Sequence, residues 1–184
     1  LSFNVRKRGE VMIVFCVILS LIWIISLFCD ISFLGVSTTS AWFTPFTYMF
    51  YHKNIIHLAL NIYCIYIMHK NTKNLYSIYH PKRNDAILLI IAILFSALAG
   101  YLAQQDKMTI GASAIVYFYI GFIISQCYNN IKYILSVIIF LVLANGISFL
   151  VGNNALLVHF LGFAFGASYS AYLIYEYRRN HIRK

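Results

Sequence analysis

The sequence VMIVFCVILSLIWIISLF, residues 11–28, contains no charged side chain. As an α-helix it rises about 27 Å, close to the roughly 30 Å hydrocarbon core of a bilayer. A basic cluster at residues 6–8 precedes it, which is also the arrangement of a secretory signal. However, the run is longer than a usual signal core, and no small-residue cleavage site follows it. A lipoprotein signal would need a small residue before Cys29, and Phe28 occupies that position. We therefore expect a retained transmembrane helix.

The apolar character extends over the whole chain. Of the 184 residues, 61% are hydrophobic and only 10% are charged, whereas soluble domains carry about 25% charged residues. The net charge of +9 raises the question of a nucleic-acid partner, but the basic residues occur in short clusters between apolar runs and not along one face. The composition indicates a protein of the lipid bilayer and excludes a nucleic-acid partner.

Apolar runs of this kind recur and predict six transmembrane helices. The second and fourth runs are short and contain polar residues, so hydropathy alone ranks them lowest. No separate soluble domain, linker or internal repeat is indicated. We therefore predict an all-α, polytopic membrane protein in which residues 1–184 form one domain, a bundle of six transmembrane helices. The predicted spans are residues 11–28, 55–68, 86–104, 113–128, 133–151 and 156–175.

The basic residues provide an independent check on this count. With the amino terminus in the cytoplasm, six spans leave only Lys53 and Lys107 of the 14 basic residues on the outer side. This bias is typical of cytoplasmic loops, and a count wrong by one would remove it. We predict an integral membrane protein with both termini in the cytoplasm. The basic residues placed inside are Arg6, Lys7, Arg8, Lys70, Lys73, Lys82, Arg83, Lys132, Arg178, Arg179, Arg183 and Lys184.

The four cysteines show no pattern of a metal site or of paired disulfides. They lie in or beside apolar segments without C-x-x-C spacing. We expect no metal and no cofactor. The cysteines are Cys16, Cys29, Cys64 and Cys127.

Polar side chains inside the predicted spans are candidates for function, because burial in lipid is costly unless they face a partner or a cavity. His57 and Asn61 lie four positions apart, so they share one face of the second helix. They could form a polar pair that joins two helices, or they could direct two donors at one point. This segment alone leaves both interpretations open.

Ser113 lies in GASA, residues 111–114, after the polar stretch at residues 104–107. A serine among small residues commonly serves helix packing. However, residues 113–128 span about 24 Å as a helix, which is shorter than the membrane, so this helix should begin below the outer surface. Its free N–H groups then require a wet cavity and would stabilise negative charge that develops there.

His159 lies early in the sixth span, with Gly162 and Gly166 on the same helix. Small residues four apart allow a neighbouring helix to approach closely. A buried histidine held by one hydrogen bond is the structural interpretation, whereas ionisable residues inside membranes are by default candidates for function.

The predicted topology places four polar residues in the outer half of the bilayer. A serine, a histidine base and two further donors are the groups that acyl transfer requires. The four residues are Ser113, His159, His57 and Asn61.

In this order the motifs resemble those of the rhomboid family of intramembrane serine proteases. HKNIIHLALN, residues 52–61, resembles the H-x-x-x-N motif and includes an earlier histidine; GASA, residues 111–114, resembles G-x-S-G. HFLGFAFG, residues 159–166, resembles the final A-H-x-x-G-x-x-x-G motif, and SALAGYLAQQ, residues 96–105, is similar to the third helix of bacterial members. Each motif alone is weak, but the ordered set, from about residue 42 to residue 175, is specific.

The resemblance implies a Ser-His dyad with no acidic third member. Ser113 would attack the scissile carbonyl, and His159 would take its proton and return it to the leaving amine. The backbone N–H of Ser113 and the side chains of His57 and Asn61 would bind the oxyanion. The substrates implied are membrane-anchored proteins, cut near the outer face and entering sideways from lipid.

The resemblance also assigns supporting roles to five residues. Tyr117 would be the tyrosine on which the histidine ring rests. The remaining four are His52, Gly111, Gly162 and Gly166.

Three features depart from the family pattern. Ala114 replaces the second glycine of G-x-S-G and adds a methyl group where the fourth and sixth helices should meet. Phe43 and Thr44 stand where the family has Trp-Arg, in a first external loop that is short. His69, Lys70 and Lys73 occupy the region after the second span where a glycine and a glutamate are usual. The resemblance therefore implies a divergent member of bacterial type, in the bacterial inner membrane.

Two alternatives stay within this resemblance. One is a rhombosortase, which belongs to a compact six-span subgroup thought to trim carboxy-terminal sorting anchors. The other is an inactive rhomboid-like protein that binds membrane proteins without cutting them, although such proteins commonly lose the dyad residues that this chain retains. A small transporter is less consistent, because no span carries charged pairs or broken inverted repeats.

Overall fold

The computed structural model describes residues 10–79, 85–127, 130–150 and 155–182. Each regular element in these ranges is helical, as the sequence predicts, and the one strand-like feature there is an isolated antiparallel bridge between Val36 and Thr109. Six long helices are α1 (Glu10–Ser26), α2 (Ile55–Tyr79), α3 (Asp85–Leu102), α4 (Ser113–Gln126), α5 (Ile131–Leu150) and α6 (Leu156–Ile182). Short helical turns between α1 and α2 cover Ser32–Leu34, Thr44–Thr47 and Tyr48–Phe50.

The helices begin close to the predicted positions but two of them continue well past the predicted ends. Helix α2 runs to Tyr79 and not to residue 68, and α6 runs to Ile182 and not to residue 175. Hydropathy marks where apolar side chains stop, whereas a helix continues as long as its backbone hydrogen bonds do. In α2 the extension is held by the buried His69, whose Nδ1 lies 2.9 Å from the Tyr119 hydroxyl. Residues 128 and 151, the predicted ends of two spans, lie outside the described residues.

Length and composition alone mark fewer spans than the six predicted. Within the described ranges one helix, Leu156–Asn180, is long and apolar enough to cross a bilayer by this criterion. The segments Val11–Ser26, Ala86–Leu102 and Ser113–Gln126 are apolar but shorter. Helix α4, for example, has only 14 residues, about 21 Å of rise. The count of six spans is therefore not confirmed by these helices.

Helix α4 lies at the centre of the bundle. All of its residues from Ala114 to Ile123 are buried, and its most extensive packing is against α6. A helix that is apolar on every side is expected at such a position. By contrast, the outer faces of α1, α3 and α5 expose large apolar side chains, which is typical of surfaces that meet lipid and not water.

Glycines bring the backbones of α4 and α6 into direct contact. A methyl group added at Gly162 would lie 2.7 Å from the carbonyl oxygen of Ala114, and one added at Gly166 would overlap the carbonyl oxygen of Phe118. Both obstacles are backbone atoms of a helix and cannot rotate away. The small-residue pair predicted from the sequence therefore sets the separation of the two central helices.

Gly166→Ala is accordingly expected to destabilise the protein. Forcing an extra methyl group into a packed interior typically costs about 1–3 kcal/mol, so the melting temperature in detergent should fall by several degrees. The matched control is Gly146→Ala in α5, because among the described residues no atom outside its own stretch of helix lies within 4 Å of the added methyl group. Since alanine is the better helix former by about 1 kcal/mol, this control should melt at or above the wild-type temperature. Equal melting temperatures for the two variants would contradict the proposed close contact.

Candidate active site

Three of the six long helices begin at the same end of the bundle, and each contributes a polar side chain there. His57 is the third residue of α2, Ser113 is the first residue of α4 and His159 is the fourth residue of α6. Alternating helix directions thus bring together side chains that are far apart in the sequence.

Ser113 and His159 form a hydrogen-bonded pair. The Ser113 Oγ lies 2.8 Å from the His159 Nε2. His159 is buried, with 6% of its surface exposed, whereas Ser113 is only partly buried. A partly open hydroxyl beside a buried imidazole is the geometry in which a histidine can act as a base toward a serine.

Tyr117 holds the histidine ring from one side. Its ring stacks on that of His159, with the centroids 4.2 Å apart and the planes inclined by 7°. Tyr117 lies one turn after Ser113 on α4, so the same helix carries both the hydroxyl and the surface that supports its partner.

Asn145 is a site residue that the sequence-based reasoning missed. Its Oδ1 lies 2.8 Å from the His159 Nδ1, on the opposite side of the ring from Ser113. The signal was available, because Asn145 is a polar residue within the apolar run 133–151. Polar side chains inside predicted spans are candidates for function, and Asn145 meets this criterion.

His57 and Asn61 lie against the segment that precedes Ser113. A methyl group at Gly111 would lie 2.6 Å from the His57 Cε1 and 3.4 Å from the Asn61 Nδ2. Gly111 also has a φ of 96°, a conformation that side-chain-bearing residues rarely adopt. Glycine is therefore required here for both conformation and space.

The start of α2 fixes the position of His57. The Asn54 side-chain oxygen accepts a hydrogen bond from the His57 backbone N–H at 2.8 Å, which is the usual N-cap interaction. One turn further along the helix, Asn61 is buried, and its Nδ2 has no hydrogen-bond partner among the described residues. A buried amide donor left unpaired is costly, so this group is available to a ligand.

His52 supports the same segment from the other side. Its Nε2 accepts a hydrogen bond from the Ala112 N–H at 3.3 Å, and its ring packs edge-on against that of His57 with the centroids 5.0 Å apart. Burial, reinforced by the neighbouring His57, lowers the pKa of His52 to about 4, although the backbone of Phe50 acts in the opposite direction. The ring is therefore neutral near pH 7, as its acceptor role requires.

The loop after α1 is tied to the chain just before Ser113. Val36 and Thr109 exchange two backbone hydrogen bonds, of 3.0 and 2.8 Å. The Gly111 N–H donates to the Tyr48 carbonyl at 2.9 Å, and the Tyr48 hydroxyl donates to the Ser96 carbonyl at 2.8 Å. This loop therefore positions the start of α4 relative to α3.

The departures from the family pattern fit locally. Ala114 is fully buried opposite Gly162, and the distance between Ser113 and His159 is 2.8 Å with its methyl group in place. Thr44 is also buried and its hydroxyl donates to the Ala41 carbonyl at 2.8 Å. In the described part of the chain, no group of three or more His, Cys, Asp or Glu residues could hold a metal ion.

The helices of the bundle have apolar outer faces, and a serine–histidine pair lies at the start of two of the helices. These features define a class of helical membrane proteins with the geometry for acyl transfer. Comparison with family models finds a match to the Rhomboid domain over residues 39–176. The chain therefore belongs to the rhomboid family, as its motifs predict, and members of this family are integral membrane proteins that are usually serine proteases. No curated protein sequence matches the chain.

Proposed function

We propose that this protein is an intramembrane serine endopeptidase that cleaves membrane-anchored proteins near the outer face of the bilayer. The observation that carries the proposal is the 2.8 Å contact between the Ser113 Oγ and the His159 Nε2. Membership of a family of intramembrane proteases supports it independently.

In the first step the Ser113 Oγ adds to the scissile carbonyl carbon, while its proton passes to the His159 Nε2. The π electrons of the carbonyl move to its oxygen, which becomes an oxyanion. When the C–N bond breaks, the protonated His159 donates that proton to the leaving amine. Water then takes the place of the amine. His159 accepts a proton from the water as its oxygen adds to the acyl carbon, and returns a proton to the Ser113 Oγ as the bond between that oxygen and the acyl carbon breaks.

The oxyanion would lie beside Gly111, against which the His57 ring and the Asn61 amide lie, and three groups would donate to it. These are the Ser113 backbone N–H, the His57 side chain and the Asn61 amide. The unpaired, buried Nδ2 of Asn61 suits this role, because a donor fixed before the reaction needs no rearrangement when the charge develops.

The substrate would be a transmembrane protein that reaches the site from lipid. This proposal retains six spans, with α1 to α6 each crossing the membrane and the site in its outer half. A short α4 that begins below the surface fits this placement. A cleaved segment must leave its helical form, because a helix shields its carbonyl groups from attack.

The proposed orientation places both termini and the α2–α3 and α4–α5 connections in the cytoplasm. In a variant lacking the native cysteines, Lys107→Cys is expected to react with a membrane-impermeant maleimide in intact cells. Lys132→Cys should react only after permeabilisation, since Lys132 lies at the start of α5 on the opposite side; both lysines are exposed. The reverse pattern would exclude the six-span orientation.

A fluorophosphonate probe tests the proposed nucleophile directly, because it reacts with an activated serine without needing the natural substrate. The folded wild-type protein should be labelled, and labelling should map to the peptide that contains Ser113. Ser125→Ala is the matched control, since Ser125 lies on the same helix and its hydroxyl donates to the Phe122 carbonyl at 3.0 Å. Absence of labelling in folded protein would favour an inactive rhomboid-like binding protein instead.

A further inference from the structure

Asn145 is a polar residue near the end of the apolar helix α5, and its side chain is directed at His159. The proposed chemistry requires only a serine, a histidine and oxyanion donors. The family resemblance implies a Ser-His dyad with no acidic third residue. The 2.8 Å contact between Asn145 Oδ1 and His159 Nδ1 therefore calls for its own explanation.

The orientation of the Asn145 amide follows from its second hydrogen bond. Its Nδ2 donates to the Leu141 carbonyl oxygen one turn earlier, at 2.8 Å. If the amide were flipped, Oδ1 would face that carbonyl oxygen, and two acceptors would repel each other. Oδ1 must therefore point at His159, where it can only accept a hydrogen bond.

This contact determines which nitrogen of His159 carries the proton. A neutral imidazole has one N–H, and an acceptor at Nδ1 retains the proton there. Nε2 then has a free lone pair facing the Ser113 Oγ at 2.8 Å. In the other tautomer Nε2 would carry a hydrogen and could not accept the proton of Ser113.

We propose that Asn145 is a positioning residue that holds His159 in the tautomer and orientation in which it can act as a base. The catalytic role of Asn145 rests on the proposed protease function. The hydrogen bond between Asn145 and His159 does not depend on that function. When the proton of Ser113 reaches Nε2, the Nδ1–H···Oδ1 bond would also stabilise the resulting imidazolium. Tyr117 contributes to the same arrangement, because its side chain stacks on His159 and interacts with Asn145.

The expected effect is smaller than that of an ionised third member. Replacing the aspartate of a Ser-His-Asp triad by its amide costs about 10⁴-fold, but a neutral amide stabilises the imidazolium less and Tyr117 still supports the ring. Loss of a side chain that orients a metal-binding residue typically costs about 10- to 100-fold in activity, and we take this range as the scale for a side chain that orients a base. We expect Asn145→Leu, which is similar in size and cannot accept a hydrogen bond, to fall in this range.

A purely structural role makes a different forecast. Helix α5 packs against α4 and α6 much less extensively than those two pack against each other, so Asn145 could serve only to anchor α5. In that case Asn145→Leu would lower the melting temperature, and the reactivity of each folded molecule would stay unchanged.

The test uses the full chain in detergent and a fluorophosphonate probe. The rate constant for labelling of Ser113 is measured for wild type, Asn145→Leu and Asn145→Asp, together with melting temperatures. Asn145→Leu should be labelled about 10- to 100-fold more slowly per folded molecule. Asn145→Asp, which retains an acceptor oxygen, should remain within about tenfold of wild type.

A second readout does not depend on activity. In protein labelled with ¹⁵N-histidine, NMR should show the wild-type His159 protonated on Nδ1, and this form should be lost in Asn145→Leu. His159→Gln identifies the signal.

Equal labelling rates for wild type and Asn145→Leu, or a wild-type His159 protonated on Nε2, would overturn the positioning role. If even wild type is not labelled, the protease proposal fails and the NMR result alone decides on Asn145. If Asn145→Leu does not fold, the positioning role is judged on the tautomer of His159 in the wild-type protein and on the labelling rate of Asn145→Asp.

Discussion

Ser113→Ala is expected to reduce proteolysis of a reconstituted transmembrane substrate by about 10⁴- to 10⁶-fold, because it removes the only atom proposed to attack the peptide bond. His159→Ala should have a comparable effect, since Ser113 then loses the imidazole that would take its proton. The two groups act as one unit, so the double variant should be no slower than either single variant.

Both variants should still insert and fold. Ser113 is only partly buried and begins its helix, so its hydroxyl contributes little to packing. Ser125→Ala, on the same helix, should cleave at the wild-type rate. Turnover close to wild type in Ser113→Ala or His159→Ala, measured on folded protein in the same membranes, would refute the assignment of the dyad.

Asn61→Ala is expected to lower kcat by about 10²- to 10³-fold, or roughly 3–4 kcal/mol, with little change in KM. The reason is that the Asn61 amide would bind charge that exists only in the transition state. The Ser113 N–H and His57 remain as donors, so a loss of about tenfold would still agree with the role. Substitution of His57 should be at least as damaging.

The stability of the same variant separates this role from a packing role. In the part of the chain that the structure describes, the buried Asn61 Nδ2 has no partner, so its removal relieves an unpaired donor and should change the melting temperature little. Ser96→Ala is the matched control, because the Ser96 Oγ, in α3, is likewise buried without a partner among those residues. It should leave both melting temperature and kcat near wild type. If Asn61→Ala lowers stability and not turnover, the oxyanion role is wrong.

Much of the fold could be predicted from local sequence. The apolar runs at residues 11–28 and 86–104 predict α1 and α3 within two residues at either end, because the hydrophobic pattern of a lipid-facing helix depends only on its own side chains. The end of α2 could not be predicted in this way. Its extension to Tyr79 depends on contacts such as that between His69 and Tyr119, which join residues distant in the chain.

In the candidate site, too, some features could be predicted from local sequence and others depend on contacts between distant segments. Because polarity inside an apolar run is visible in the sequence, Ser113, His159, His57 and Asn61 could be selected without coordinates. Their convergence was inferred from the predicted topology, and the structure places them at the starts of helices that share one end of the bundle.

The amino-acid sequence by itself determined the all-helical class, the family and the residue types available for chemistry, because each depends on local composition or on an ordered set of motifs. Only the tertiary structure decided the 2.8 Å contacts of His159 with Ser113 and Asn145, and the positive φ of Gly111. The physical reason is that hydrogen bonding depends on distance and angle. For Ser113 and His159 they are set by how α4 and α6 pack together at their glycines, and for Asn145 by where α5 lies beside them. No single segment of the chain determines either arrangement.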